Sequence, residues 1–199
     1  MIPRQLIIAI VVMLLVASSI GFYVVRTPRR AAVVVPAASN NQPVAPPASG
    51  PTEQVTLYVA DDQTASLRAQ SANIPLPAGR QERAGELLRA LLDVYLDKSS
   101  PHPLGAGSEV RDVYLVDPGL AVVDVNAAFA NLHRSGVLVE ELTVTSMIET
   151  LSANISGITR VKILVDGAER DSLAGHLDLT NFFDVAAVSQ LAAQLQNTP

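Results

Sequence analysis

Residues 6–25, LIIAIVVMLLVASSIGFYVV, are twenty consecutive residues without a charge, bounded by Arg4 and Arg26. As an α-helix this run is about 30 Å long, the thickness of bilayer hydrocarbon. Phe22 and Tyr23 stand near one end, where aromatic rings favour the membrane interface. A buried helix of a soluble domain would normally show a polar stripe. A cleaved signal peptide has a shorter apolar region, about 7–15 residues, that ends at a small-x-small site. Here the small residues Ala17, Ser18 and Ser19 are followed by more apolar sequence as far as Val25. The spacing therefore predicts a retained single-pass anchor at 6–25, after a short N-terminal segment, 1–5.

Charge is divided in the same way. Residues 1–30 hold four Arg and no acid, and the rest of the chain holds ten basic and nineteen acidic groups. A net charge of −5 argues against general nucleic-acid binding. The 199 residues contain no cysteine, which excludes disulfide scaffolds, thiolate metal sites, thiol nucleophiles and a lipid-modified cysteine within them. Residues 26–53 read as a Pro/Ala-rich linker. From residue 27 on it holds six of the thirteen prolines and no aromatic residue, a composition suited to an extended spacer. Counted literally, the flanking Arg residues place the following domain in the cytoplasm. A short N-terminal segment before an apolar run is also the form of a signal anchor, and long domains translocate despite flanking charge.

From Gln54 the pattern is that of a folded domain, expected over 54–184. Val55, Leu57 and Val59 alternate with polar positions, as in a strand, and a weaker strand is expected over 66–74. In 81–98, Ala84, Leu87, Leu88, Leu91 and Tyr95 form one helical stripe. Residues 110–116 and 120–125 flank Asp117-Pro118-Gly119, a turn signal that predicts an antiparallel hairpin. A second helix is expected over 138–154, with its stripe on Val144, Met147, Ile148, Leu151 and Ile155, and with Gly157 placed for a left-handed cap. Strands follow at 161–165 and 169–174. The C-terminal tail, 185–199, carries a weak helix beginning near residue 184. The fold class expected is α+β in two layers: a mixed, mainly antiparallel sheet with both amphipathic helices packed on one face, preceded by the single transmembrane helix.

Four segments carry a likeness to a known family, VTLYVADDQ (55–63), ERAGELLRALL (82–92), EVRDVYLVDPGLAVVDVNAAF (109–129) and ITRVKILVDGAERDSLAGHLDLT (158–180), and the second helix, ELTVTSMIETLSAN (141–154), sits where that family has one. The most distinctive pieces are VDG at 165–167 and GHLDL at 175–179. The chain resembles the GerMN domain family, named for a bacterial sporulation and spore-germination protein. The resemblance implies an extracytoplasmic domain of the bacterial envelope, with a fold like the ring-building modules of envelope-spanning secretion machines, and it favours the outward orientation. Unlike the family's namesake, this chain lacks a lipidation cysteine and has one such domain rather than two.

Chemistry-bearing motifs are sparse. His102, His133 and His176 are far apart in sequence, unlike the short spacings common in metal sites. His176 and Asp178 are the only tight His/carboxylate pair, and on a strand they would face the same way. Asp61-Asp62 reads as a turn, with a divalent cation the alternative. Asp124, in an apolar run, is expected on a solvent face of the sheet. Ser108 lacks the following glycine of a nucleophile elbow, and no phosphate-binding glycine loop is present. No cofactor, metal or catalytic residue is expected. Two functions follow. The first is a membrane-anchored, non-catalytic binding or assembly module, with an envelope protein, a cell-wall component or a second copy as partner. The second is a cell-wall-directed hydrolase using His176 and Asp178 as acid and base.

Overall fold

The computed structural model describes residues 51–75, 77 and 79–196. The expected anchor at 6–25 and the linker up to residue 50 lie outside the described residues. Among the described residues no helix is long and apolar enough to cross a membrane.

The chain runs β1 (Thr52–Asp61), β2 (Ser66–Pro75), α1 (Arg80–Leu96), β3 (Val110–Val116), β4 (Leu120–Val125), α2 (Ala127–Asn131), α3 (Val137–Asn154), β5 (Arg160–Val165), β6 (Phe183–Asp184) and α4 (Val185–Gln196). The expected single sheet is two. β1 and β2 pair antiparallel along ten residues each, and a separate four-stranded sheet has the order β3-β4-β5-β6. In the larger sheet β4 and β5 are parallel and the other pairs antiparallel. The division has a local cause. The free edge of β1 is occupied by side chains. Asn154 accepts from the Thr56 N–H at 3.1 Å and donates to the Thr56 carbonyl at 2.7 Å. The N–H groups of Tyr58 and Ala60 donate to the Thr150 and Tyr95 hydroxyls. A strand edge satisfied in this way cannot pair with another strand.

The turn between β3 and β4 shows why its glycine is needed. Gly119 has φ +75°, and a Cβ there would lie 2.6 Å from Thr159 Oγ1 and 2.8 Å from the Gly157 carbonyl. The Gly119 carbonyl accepts from the N–H groups of Thr159 and Arg160. That contact seats the start of β5 beside the turn and fixes the parallel β4–β5 register.

Helix α1 is the amphipathic helix its spacing predicts, with Ala84, Leu87, Leu88, Leu91 and Tyr95 buried. Helix α3 is not. Every residue from Leu142 to Leu151 is buried, because β1 packs on one flank and α4 on another. The two helices therefore do not simply share one sheet face. Thr143, Ser146, Glu149 and Thr150 keep their hydrogen bonds inside the domain, as buried polar groups must. One core joins both sheets to α1 and α3. Each fully buried Leu or Ile in it contributes about 1.5 to 3 kcal/mol.

The strand expected at 169–174 is a loop, marked only by single bridges at Val165–Ala168 and Ser172–Asp178. Of its amides, Ala174 donates to the buried Glu140 carboxylate and Leu173 to the Leu177 carbonyl, which takes both from strand pairing. The tail helix α4 packs on α3 and buries Ala192.

Candidate functional site

The structure gives His176 and Asp178 different partners. They lie on the loop after β5 rather than on a strand, and each has its own partners. His176 Nδ1 is 3.0 Å from Glu140 Oε1 and 3.3 Å from Ser135 Oγ. Asp178 accepts from the Thr180 hydroxyl and N–H at 2.6 and 2.7 Å and from the Asn181 amide at 2.8 Å. These hydrogen bonds, Thr180's first, hold its carboxyl below the ordinary value. Asp178 thus closes its own turn, the usual structural task of an aspartate there.

His176 leads inward to Glu140, on the first turn of α3. The Glu140 side chain is fully buried. Its Oε2 accepts from the N–H groups of Leu177, Ala174 and His176 at 2.8, 3.0 and 3.1 Å. Its Oε1 accepts from the Gly136 N–H at 3.1 Å, besides the His176 ring. Burial pushes this carboxyl up, but the N–H groups of Leu177 and Ala174, the His176 ring and Gly136 outweigh it and hold the pKa down to about 2. Glu140 is the peg around which the GHLDL loop is wound.

One turn further along α3, the other two histidines converge. His102 Nε2 and His133 Nε2 lie 2.6 and 2.7 Å from the same atom, Thr143 Oγ1. His102 Nδ1 is 2.6 Å from Asp62 Oδ1, and Arg134 is 3.0 Å from the other oxygen. His133 Nδ1 faces the Arg134 carbonyl at 2.7 Å, so it must carry a hydrogen. Tyr95 packs edge-on against His102 at 4.7 Å and donates to Ser146 Oγ at 2.8 Å. Burial pushes the Tyr95 pKa up to about 12. Burial also pushes both histidines below their ordinary value; at His102 it outweighs Asp62. Of the adjacent acids, Asp61 is the turn residue, accepting from Gln63 and Thr64, whereas Asp62 belongs to this cluster.

Asp62, His102 and Thr143 have the order of an acid–base–hydroxyl relay. Thr143 is fully buried and His102 is 1% exposed, so no substrate bond reaches the hydroxyl in this conformation. The cluster was not legible as a site, since its histidines are thirty-one positions apart and nothing local links them. Glu140 gave no signal beyond an acid in a first helical turn. Among the described residues no group of three or more His, Cys, Asp or Glu could hold a metal ion. Ser108 is buried and donates to the Gly105 carbonyl.

Asp124 is not on a wet face. It is 6% exposed, accepts from the Gly167 N–H at 2.7 Å and lies 3.7 Å from Arg111. The VDG turn folds back over the sheet and covers it. Lys162, on β5 opposite Val122, is buried too, donating to the Leu179 and Thr180 carbonyls. What remains open on this side is Tyr114 and Val116 of β3 and, beyond Lys162, Phe182, each about half exposed. β3 is also the terminal strand of its sheet. Among the described residues nothing is hydrogen-bonded to its outer edge, in contrast to the capped edge of β1.

A family model described as Germane: Sporulation and spore germination matches residues 56–171, more than half of the chain. The structure is similar to the tandem GerMN domains of the sporulation protein GerM from Bacillus subtilis, at 20% identity and TM-score 0.51, covering 67% of this chain and 46% of that one. The first GerMN domain of GerM from Bacillus subtilis, taken alone, matches at 20% identity and TM-score 0.45, covering 65% and 95%. A Clostridium perfringens chain provisionally assigned as a lipoprotein matches at 20% identity and TM-score 0.48, covering 79% and 100%. The chain spans less than half the length of the tandem protein. No curated protein sequence matches it.

Proposed function

Because the chain belongs to the Germane family of sporulation and spore-germination domains, we propose that it is a non-catalytic binding and assembly module of the bacterial envelope. The run 6–25 anchors it in the cytoplasmic membrane, the linker 26–53 spaces it from the surface, and the domain works outside. The apolar length of 6–25 supports the anchor, and the absence of cysteine from these residues leaves a lipid on cysteine no attachment point within them.

One observation carries the binding reading. His102, His133, Tyr95 and Glu140, the groups that look most like catalytic machinery, are turned inward and spent on holding the fold. Meanwhile the edge of β3 and the apolar side chains beside it are left to solvent. A free edge offers main-chain hydrogen bonds to a partner strand. An enzyme needs the reverse arrangement, a titratable group within reach of a substrate bond.

Crosslinking the full-length protein in its native membrane tests this, with mass spectrometry of what is captured. A protein carrying only the anchor and linker is the control, and His176→Ala/Asp178→Ala the second bait. Specific partners held by the wild type and by the double variant are expected. Capture no greater than the control would overturn the assembly reading. Capture lost only in the double variant would move the working surface to the GHLDL loop.

A further inference from the structure

Two adjoining clefts run along the outer face of α1. One, of 540 Å³, lies between the end of β2, the middle of α1 and residues 107–110. The other, of 470 Å³, continues past Pro77 and Gly85 to Asp112 and Val113 of β3. They share Pro75, Glu86 and Arg89 and so form one trough, with α1 as the floor and the uncapped strand β3 as one wall. The floor includes Gly85, although a helix interior favours alanine there by about 1 kcal/mol. A Cβ at this position would meet the Arg89 guanidinium at 3.4 Å.

The trough is acidic. Glu82, Glu86, Asp93, Glu109 and Asp112 line it against Arg89, and Arg89 is already paired with Glu86. Arg111, the next cation along β3, is drawn away to Asp124 and Asp166. Its apolar lining comes from Ile74, Ala90, Leu92, Leu96, Val110 and Val113.

We propose that this trough receives an extended basic segment of a partner protein, which adds to β3 as a further strand. The proposal rests on the binding-module reading and names its partner chemistry. Strand addition draws on backbone groups, so the edge supplies affinity and the side-chain walls supply selection. Alternate residues of an added strand face the same way about 7 Å apart. Glu82 and Glu86, one turn apart on α1, are about 6 Å apart along the helix axis. Lys or Arg at alternate positions matches that spacing, with apolar residues between them meeting the lining. A second copy of this chain is a poor occupant, because an antiparallel β3–β3 pair centred between Val110 and Arg111 sets Glu109, just before the strand, opposite the copy's Asp112, and like charges across a strand pair repel.

The probe is a short fluorescent peptide of alternating Lys and Val, titrated into the full-length protein in neutral detergent and followed by anisotropy. Saturable binding is expected, with hydrogen-exchange protection appearing on residues 110–116. Glu86→Gln/Asp93→Asn/Asp112→Asn, three partly or fully exposed changes of similar size, should weaken it roughly tenfold and flatten its salt dependence. The same peptide N-methylated on alternate amides, in the frame that faces β3, should lose binding without any change to the protein. No saturation, equal affinity for the neutralised variant, or protection on another strand would overturn the proposal. Protection of β3 that appears on concentrating the protein without peptide would overturn it in favour of a second copy. The two readings fail separately. Native crosslinked partners that persist in the neutralised variant while the peptide fails to bind would sink the trough and leave the module. Absence of partners in the wild type would sink the module whatever the titration gives.

Discussion

Two polar hubs sit one turn apart on α3, and they are built in opposite ways. Glu140 is an acceptor among donors: four backbone N–H groups and the His176 ring converge on one carboxylate. Thr143 is a donor among acceptors. Its single hydroxyl hydrogen is within reach of the Val139 carbonyl at 2.9 Å and of two imidazole nitrogens. With the histidines neutral and each Nδ1 carrying the hydrogen, three acceptors compete for it. The first hub is saturated and charged, and so it locks. The second is short of hydrogens, and so it tolerates change. The lesson is that a buried catalytic-looking group can belong to either kind, and only the count of donors and acceptors tells them apart.

The largest expected effect breaks the first hub. Glu140→Ala leaves four N–H groups buried without an acceptor, and a loss of about 3 to 5 kcal/mol is expected. Urea denaturation reads it as a lower midpoint. A change below about 1 kcal/mol would mean the loop finds other acceptors. The same hub sets the acid limit. The carboxyl falls from its ordinary 4.5 to about 2 on folding, so its contribution is present above pH 4.5 and is lost as pH falls towards 2. That contribution is on the order of 3 kcal/mol.

Thr143→Val sharpens the contrast with a near-isosteric change. It removes the hydrogen three acceptors compete for, and the cost expected is smaller, about 1 to 3 kcal/mol. Burial also lowers both His102 and His133. Their unfolded forms therefore bind protons first as pH drops below about 6.5, and stability declines from there. Acid titration of the wild type should thus show two stages: a histidine stage beginning below pH 6.5, then the Glu140 stage below 4.5. His102→Asn/His133→Asn should remove the first and spare the second. An unchanged first stage would assign it to other groups.

The same contrast separates what the sequence discloses from what it does not. The α1 stripe and the β3–β4 hairpin are legible because their signals are local: a 3.6-residue repeat and a turn that needs glycine. Helix α3 misleads, since Thr143, Ser146, Glu149 and Thr150 look like a wet face. Their long-range partners arrive from β1, α4, α1 and the loop between α1 and β3 that carries His102, none of them near in sequence. His176-Leu177-Asp178 is the opposite case. Adjacency suggests a shared site, but the loop is wound on Glu140, and that winding sets the half-exposed ring against Glu140 while Asp178 bonds within its own turn. Asp124, the lone charge in an apolar run, is expected on a solvent face, and only the fold-back of the VDG turn buries it.

The smallest expected effect concerns the residue that the sequence singled out. His176 supplies one ring contact among five donors to Glu140, and its side chain is 44% exposed. His176→Ala removes the ring but keeps the residue's own N–H on Oε2. The carboxylate retains four backbone donors, and an exposed hydrogen bond contributes little beyond what water supplies. A loss of about 0.5 kcal/mol is expected, read against Glu140→Ala in the same denaturation series. Far-UV dichroism should be unchanged. A cost approaching that of Glu140→Ala would mean that the ring, and not the backbone, closes this hub. The order of the two residues would then reverse, and His176 would be the peg.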